Sequence, residues 1–72
     1  MNGYQELANA IILQACKDYR KALKTLKKFP EDKKAKSECT EIEKFFHSDF
    51  YGKLTQIDGD VLIEKMRKEV QV

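Results

Sequence analysis

The sequence predicts an all-α fold: a long antiparallel helical hairpin closed by a short helical turn and a C-terminal helix. Three observations predict it. Ala8, Ile12, Ala15, Tyr19, Ala22, Leu26 and Phe29 recur at alternating steps of four and three residues, a heptad-like stripe along one helix. No alternating run of β-branched residues occurs, and only three Gly and one Pro interrupt the 72 residues. The composition, 42% hydrophobic and 36% charged, suits helices with solvated outer faces and is too apolar for a disordered tail. One helical domain, residues 1–72, is expected. A core this small is marginal, and a stripe this long is expected to need a second copy to cover it, so a homo-oligomer is expected.

The long helix is expected over residues 5–28, with Asn2 as its cap and Glu6 near its positive end. At about 1.5 Å per residue it is on the order of 35 Å long. With Tyr19 set at zero on a wheel of roughly 100° per residue, Ala8, Ile12, Ala15 and Leu26 fall within about 40° of it. Leu23 and Cys16 widen the stripe on one side, Ala22 and Ile11 on the other. Lys17, Lys21, Lys24 and Lys28 occupy the opposite face, while Arg20 and Lys27 sit at the flank, where a charge can line a groove. Pro30 ends this helix by disfavouring helical geometry at Phe29, and it can itself open the next one, with Glu31 and Asp32 in the first turn.

The second helix is expected over residues 31–47. Ala35, Cys39, Ile42 and Phe46 form its stripe, widened by Phe45, and Glu38, Glu41, Glu43 and Lys44 face water. A tight connection at Pro30 pairs Leu26 with Ala35, Ala22 with Cys39, Tyr19 with Ile42 and Ala15 with Phe46. That register sets Cys39 beside Ala22, nearly two turns or about 9 Å along the helix from Cys16, so both read as small buried hydrophobes and not as a disulfide. Ser48 and Asp49 look like the cap of a short helical turn containing Phe50, Tyr51 and Leu54. Gly52 leaves room for a bend or a close backbone approach. After a turn at residues 55–59, Asp58 is the expected cap of a last helix over 59–70. Its apolar face is Leu62, Ile63, Met66 and Val70, with Arg67 and Lys68 in the final turn.

Charge is unevenly spread. Residues 17–36 hold nine basic and three acidic side chains, a net of +6, and the remainder holds five basic and nine acidic, a net of −4. The hairpin tip is thus the basic end. It suits an anionic partner, whether nucleic acid, nucleotide or acidic protein surface, although charged helical faces are most often simply solvated. No window holds the roughly 18 apolar residues of a membrane span, and the N-terminus has no basic segment leading into an apolar one, so a cytoplasmic, non-membrane protein is expected.

The residues argue against an enzyme. His47, the one histidine, follows Phe45 and Phe46 at the end of a helix, where an imidazole interacts well with the helix C-terminus. Ser48 is its sequence neighbour, a poor geometry for a nucleophile, and Cys39 is about two turns away on the packed face. One His and two separated Cys fall short of a metal-ligand set; Asp58, Asp60 and Glu64 lack calcium-loop spacing; no Gly-rich phosphate loop is present. No metal and no cofactor are expected. Tyr19, Tyr51, Phe46 and Phe50 read first as core. The sharper reading places an aromatic wall beside basic side chains, with Tyr19 and Tyr51 at the aromatic positions, Tyr19 stacking a base and Arg20, Lys24 and Lys27 meeting phosphates. The helix lengths do not suit a helix-turn-helix reader.

Four blocks of the chain carry a resemblance. They are Ala8-Asn9-Ala10-Ile11-Ile12-Leu13-Gln14-Ala15, Lys17-Asp18-Tyr19-Arg20-Lys21-Ala22-Leu23-Lys24, Glu43-Lys44-Phe45-Phe46-His47-Ser48 and Leu54-Thr55-Gln56-Ile57-Asp58-Gly59-Asp60-Val61-Leu62-Ile63. They resemble small proteins encoded by phages and prophages of Firmicutes. The resemblance brings no established activity and no functional residues. It implies a phage accessory protein acting in the cytoplasm of a bacterial host, a group whose members often antagonise host defence. The leading expectation is therefore a non-enzymatic binding protein, in its sharpest form an oligomer holding an anionic cyclic nucleotide signal in grooves between copies. The alternatives are an inhibitor or adaptor that docks a host or phage protein through a helical face, and a nucleic-acid-binding accessory protein.

Overall fold

In the computed structural model, which describes residues 3–70, the stripe runs the length of one helix. α1 spans Gly3–Lys28, α2 Lys33–Phe46, α3 Asp49–Leu54 and α4 Gly59–Val70. Among the described residues there is no strand. α1 begins two residues before the expected start and ends where Pro30 requires. Asn2, the expected cap, lies outside the described residues.

The α1–α2 connection differs from expectation. The Phe29 N–H donates to the Thr25 carbonyl (2.7 Å) and the Asp32 N–H donates to the Phe29 carbonyl (3.0 Å). These bonds make a four-residue turn with Pro30 at its second position, where a fixed φ is an advantage. Pro30 therefore turns the chain and does not open α2, and Glu31 stays outside the helix. Asp32 becomes the N-cap, its carboxylate accepting from the Ala35 N–H at 3.0 Å. An aspartate placed one step before the helix satisfies an N–H that has no partner inside it, which a first-turn aspartate would not do.

At the other end of α2 the His47 N–H is shared between the Glu43 and Lys44 carbonyls. Ser48 then serves two helices: its hydroxyl donates to the Phe45 carbonyl (2.6 Å) and accepts from the Tyr51 N–H (3.1 Å). That double role lets α3 restart almost at once, as the Ser48–Asp49 pair predicts. Asp58 behaves as the expected cap of α4, its carboxylate accepting from the Asp60 N–H (2.9 Å) and its carbonyl from the Leu62 N–H (3.3 Å). The close backbone approach falls at Gly59 and not at Gly52. A Cβ on Gly52 would meet open space, whereas one on Gly59 would overlap the Phe46 carbonyl oxygen. The start of α4 thus lies against the end of α2, where His47 Nε2 also pairs with Asp60 Oδ1.

The core draws on all four helices: Cys16, Tyr19 and Ala22 from α1, Cys39 and Phe46 from α2, Tyr51 from α3, Ile63 and Met66 from α4. Phe45, Phe46 and Tyr51 form a ring cluster with centroids 5.3–5.6 Å apart, and Tyr19 meets Phe46 edge-on at 6.4 Å. These are the tilted and edge-to-face geometries that aromatic quadrupoles favour. α2 lies along one side of the stripe, where Asp18 and Thr25 share a cleft with Asp32, Ala35, Glu41 and Ile42. α4 lies along another, where Leu23 and Leu26 share a cleft with Arg67 and Val70. Together they cover its middle, and Tyr19 and Ala22 are fully buried. The premise that one copy cannot cover the stripe is therefore corrected: the chain's own helices cover it from Ala8, itself buried, to Leu26, and only the Phe29 end stays open, at 63% exposure. No helix of the described residues is long and apolar enough to cross a membrane.

Candidate functional site

Tyr19 is the pivot of the interior. Its hydroxyl donates to Glu43 Oε2 at 2.6 Å, Arg67 Nε donates to the Tyr19 oxygen at 3.1 Å, and an Arg67 terminal nitrogen donates to the same Glu43 oxygen at 2.8 Å. One residue from each of α1, α2 and α4 closes this triangle. Glu43, expected to face water with Glu38 and Glu41, is turned inward instead. The physical reason is tertiary: α4 delivers a guanidinium to the one point where a buried phenol also needs an acceptor.

The charges of the triangle respond accordingly. Burial pushes the Tyr19 phenol up, the hydrogen bond to Glu43 adds to this, and its pKa reaches about 12. For Glu43, burial acts to raise the carboxyl, but the hydrogen bonds from Tyr19 and Arg67 outweigh it and hold the group below its ordinary range. Burial also pushes the Cys16 and Cys39 thiols up, which keeps both in the un-ionised form that is a poor nucleophile.

The five residues singled out for a ligand do not converge. Tyr19 has no exposed face on which a base can stack. Tyr51 is equally enclosed, its ring against Phe45 and Phe46. Its hydroxyl finds no hydrogen-bond partner among the described residues. Arg20 is half-exposed and paired with Glu69 at 2.9 Å. Lys27 lines a cleft of about 440 Å³ with Leu23, Leu26, Arg67 and Val70. Lys24 lies in a different cleft, of about 420 Å³, with Lys17, Lys21, Thr25, Lys28 and Phe29.

This last cleft is the candidate site. Lys17, Lys21, Lys24 and Lys28 stand at helical spacings of three and four on one face of α1, a row about 16 Å long. All four are exposed, and none lies within ion-pairing distance of a carboxylate among the described residues. Four other cations find acids: Arg20 with Glu69, Lys44 with Glu41, Arg67 with Glu43 and Lys68 with Glu64. The four lysines are thus an uncompensated strip of positive potential. Phe29, placed by sequence reasoning at the end of the apolar stripe, is the aromatic member of this cleft. The signal that it stands outside the core was local: Pro30 turns the chain there, so no following helical turn exists to cover it.

Among the described residues no group of three His, Cys, Asp or Glu side chains is placed to hold a metal ion. The chain matches no family model, no curated protein and no solved structure.

Proposed function

We propose that the protein is a non-catalytic binding protein, a phage accessory factor that antagonises defence in the cytoplasm of a bacterial host by holding an anionic partner at its lysine-rich end. The phage and host parts rest on the resemblance of its four sequence blocks. The binding part rests on one observation, the unpaired row Lys17, Lys21, Lys24 and Lys28 on an open face of α1. α1 and α2 are read as an antiparallel hairpin, which carries this row toward its tip. An anionic cyclic nucleotide belongs to the same ligand class, but its base would not stack on Tyr19 or Tyr51 while both are enclosed.

Fluorescence anisotropy with labelled cyclic nucleotides, oligonucleotides and polyphosphate, repeated across salt concentrations, tests the reading. Binding that weakens steeply with salt is expected. Absence of binding to every anion at low salt refutes it.

Self-association is a second reading, favoured by a different observation. An apolar cleft of about 400 Å³ between α1 and α2, lined by Ile11, Ala15, Ile42 and Phe45, is rimmed by Asp18 and Glu41. Those acids complement the lysine-rich end of another copy, so the expected occupant is a second copy packed end to side. Light scattering that gives a salt-sensitive mass above one chain supports it. A monomer at all salts rejects it in favour of a different protein partner, or none.

A further inference from the structure

We infer that the cleft of Phe29 and the lysine row is a binding site for single-stranded nucleic acid, with Phe29 stacking a base and Lys17, Lys21, Lys24 and Lys28 following the phosphates. The inference rests on the proposed anionic partner and deepens it by naming the chemical class. Phe29 is 63% exposed at the first position of the turn, in the same cleft as all four lysines. A large aromatic side chain left open beside unpaired cations is the pairing that a polyanion with π-faces fits.

The geometry separates the anion classes. A duplex keeps its bases stacked inside and offers Phe29 none of them. An acidic protein surface offers carboxylates but no ring to stack. A free nucleotide can engage Phe29, yet its phosphates reach only part of a row about 16 Å long. A single strand uses both parts of the cleft.

The placement also agrees with the helix dipole. The C-terminal end of α1 carries partial negative charge, which would repel a phosphate set directly on it. Phe29 lies just past that end, where the ligand presents a neutral base. The phosphates extend back along the row from Lys28 toward Lys17, where the lysine charges offset the partial charge of the helix end. Residues 17–36 carry nine basic and three acidic side chains, so this end keeps a net charge of +6.

The test is anisotropy with a short labelled oligothymidine, a duplex with the same number of phosphates, and inorganic polyphosphate as an anion without bases. The proteins are the wild type, Phe29→Ala, Phe29→Leu and the combined Lys17→Gln, Lys21→Gln, Lys24→Gln and Lys28→Gln variant. All the changed side chains are exposed, and circular dichroism confirms that each variant keeps its helices. Oligothymidine is expected to bind more tightly than the duplex or polyphosphate. Both Phe29 variants should lose about fivefold or more of the oligothymidine affinity and none of the polyphosphate affinity. For four phosphate contacts the slope of log K against log salt should be about −3, flattening toward zero in the lysine variant. If oligothymidine binds but ignores the Phe29 changes, or binds no better than the duplex, this inference fails and the anionic reading stands. If no anion binds at low salt, both fail.

Discussion

Removing the Glu43 carboxylate should destabilise the protein far more than removing any other acid of α2. In Glu43→Ala the fully buried Tyr19 hydroxyl loses its acceptor, and Arg67 loses its charged partner. An unpartnered buried hydroxyl costs about 1–3 kcal/mol. The Arg67–Glu43 pair is half-exposed and screened by solvent, so its loss adds only about 0–1 kcal/mol. Arg67 still donates to the Tyr19 oxygen, which keeps the total in the middle of this range, about 2–3 kcal/mol. At roughly 5 °C per kcal/mol for a chain of this size, the melting temperature should fall by about 10–15 °C. Urea unfolding followed by circular dichroism measures the free energy. Glu41→Ala is the control: Glu41 is exposed and 3.7 Å from Lys44, so its loss should stay within about 0.5 kcal/mol. A double-mutant cycle with Tyr19→Phe should show a coupling of about 1 kcal/mol or more, because the two side chains share one hydrogen bond. If Glu43→Ala unfolds within 0.5 kcal/mol of the wild type, or the cycle shows no coupling, the triangle does not hold the three helices together.

Further outcomes follow from other contacts. Tyr19 should make stability fall with alkali. Its folded pKa, about 12, lies above the ordinary 10.0, so the contribution is intact below pH 10 and is lost as pH rises through 12. The slope is about 1.4 kcal/mol per pH unit over that window, and urea unfolding should show it reduced in Tyr19→Phe. Gly59→Ala should destabilise by more than about 1 kcal/mol in thermal melts, reversing the usual sign for Gly to Ala in a helix, because the new Cβ meets the Phe46 carbonyl. Gly52→Ala, with open space around it, should be neutral or stabilising. Asp32→Ala and Ser48→Ala should each cost about 1 kcal/mol through lost caps, and the Ser48 change should also speed amide hydrogen exchange in α3.

What the sequence determined alone is what depends on neighbours in the chain. The heptad spacing from Ala8 to Leu26 specified α1, the residues Leu62, Ile63, Met66 and Val70 specified α4, and Ser48 and Asp58 marked helix starts, because periodicity and capping act within a few residues. One local misreading, Pro30 opening α2, came from two rules for proline that a turn and a helix start both satisfy. The basic end was legible for the same reason, as a count along the chain. The tertiary structure decided where polar groups on apolar flanks would point. Tyr19 and Tyr51 could each have offered a ring to a ligand, but the packing of α3 and α4 enclosed them. Glu43 had the spacing of a solvated residue until Arg67, 24 positions away, drew it inward. Phe29 had the spacing of a core residue, yet the turn left it open. For Tyr19, Tyr51 and Glu43 the deciding contacts span helices, and a long-range contact leaves no periodic trace in the sequence it joins; Phe29 was decided by the local turn at Pro30.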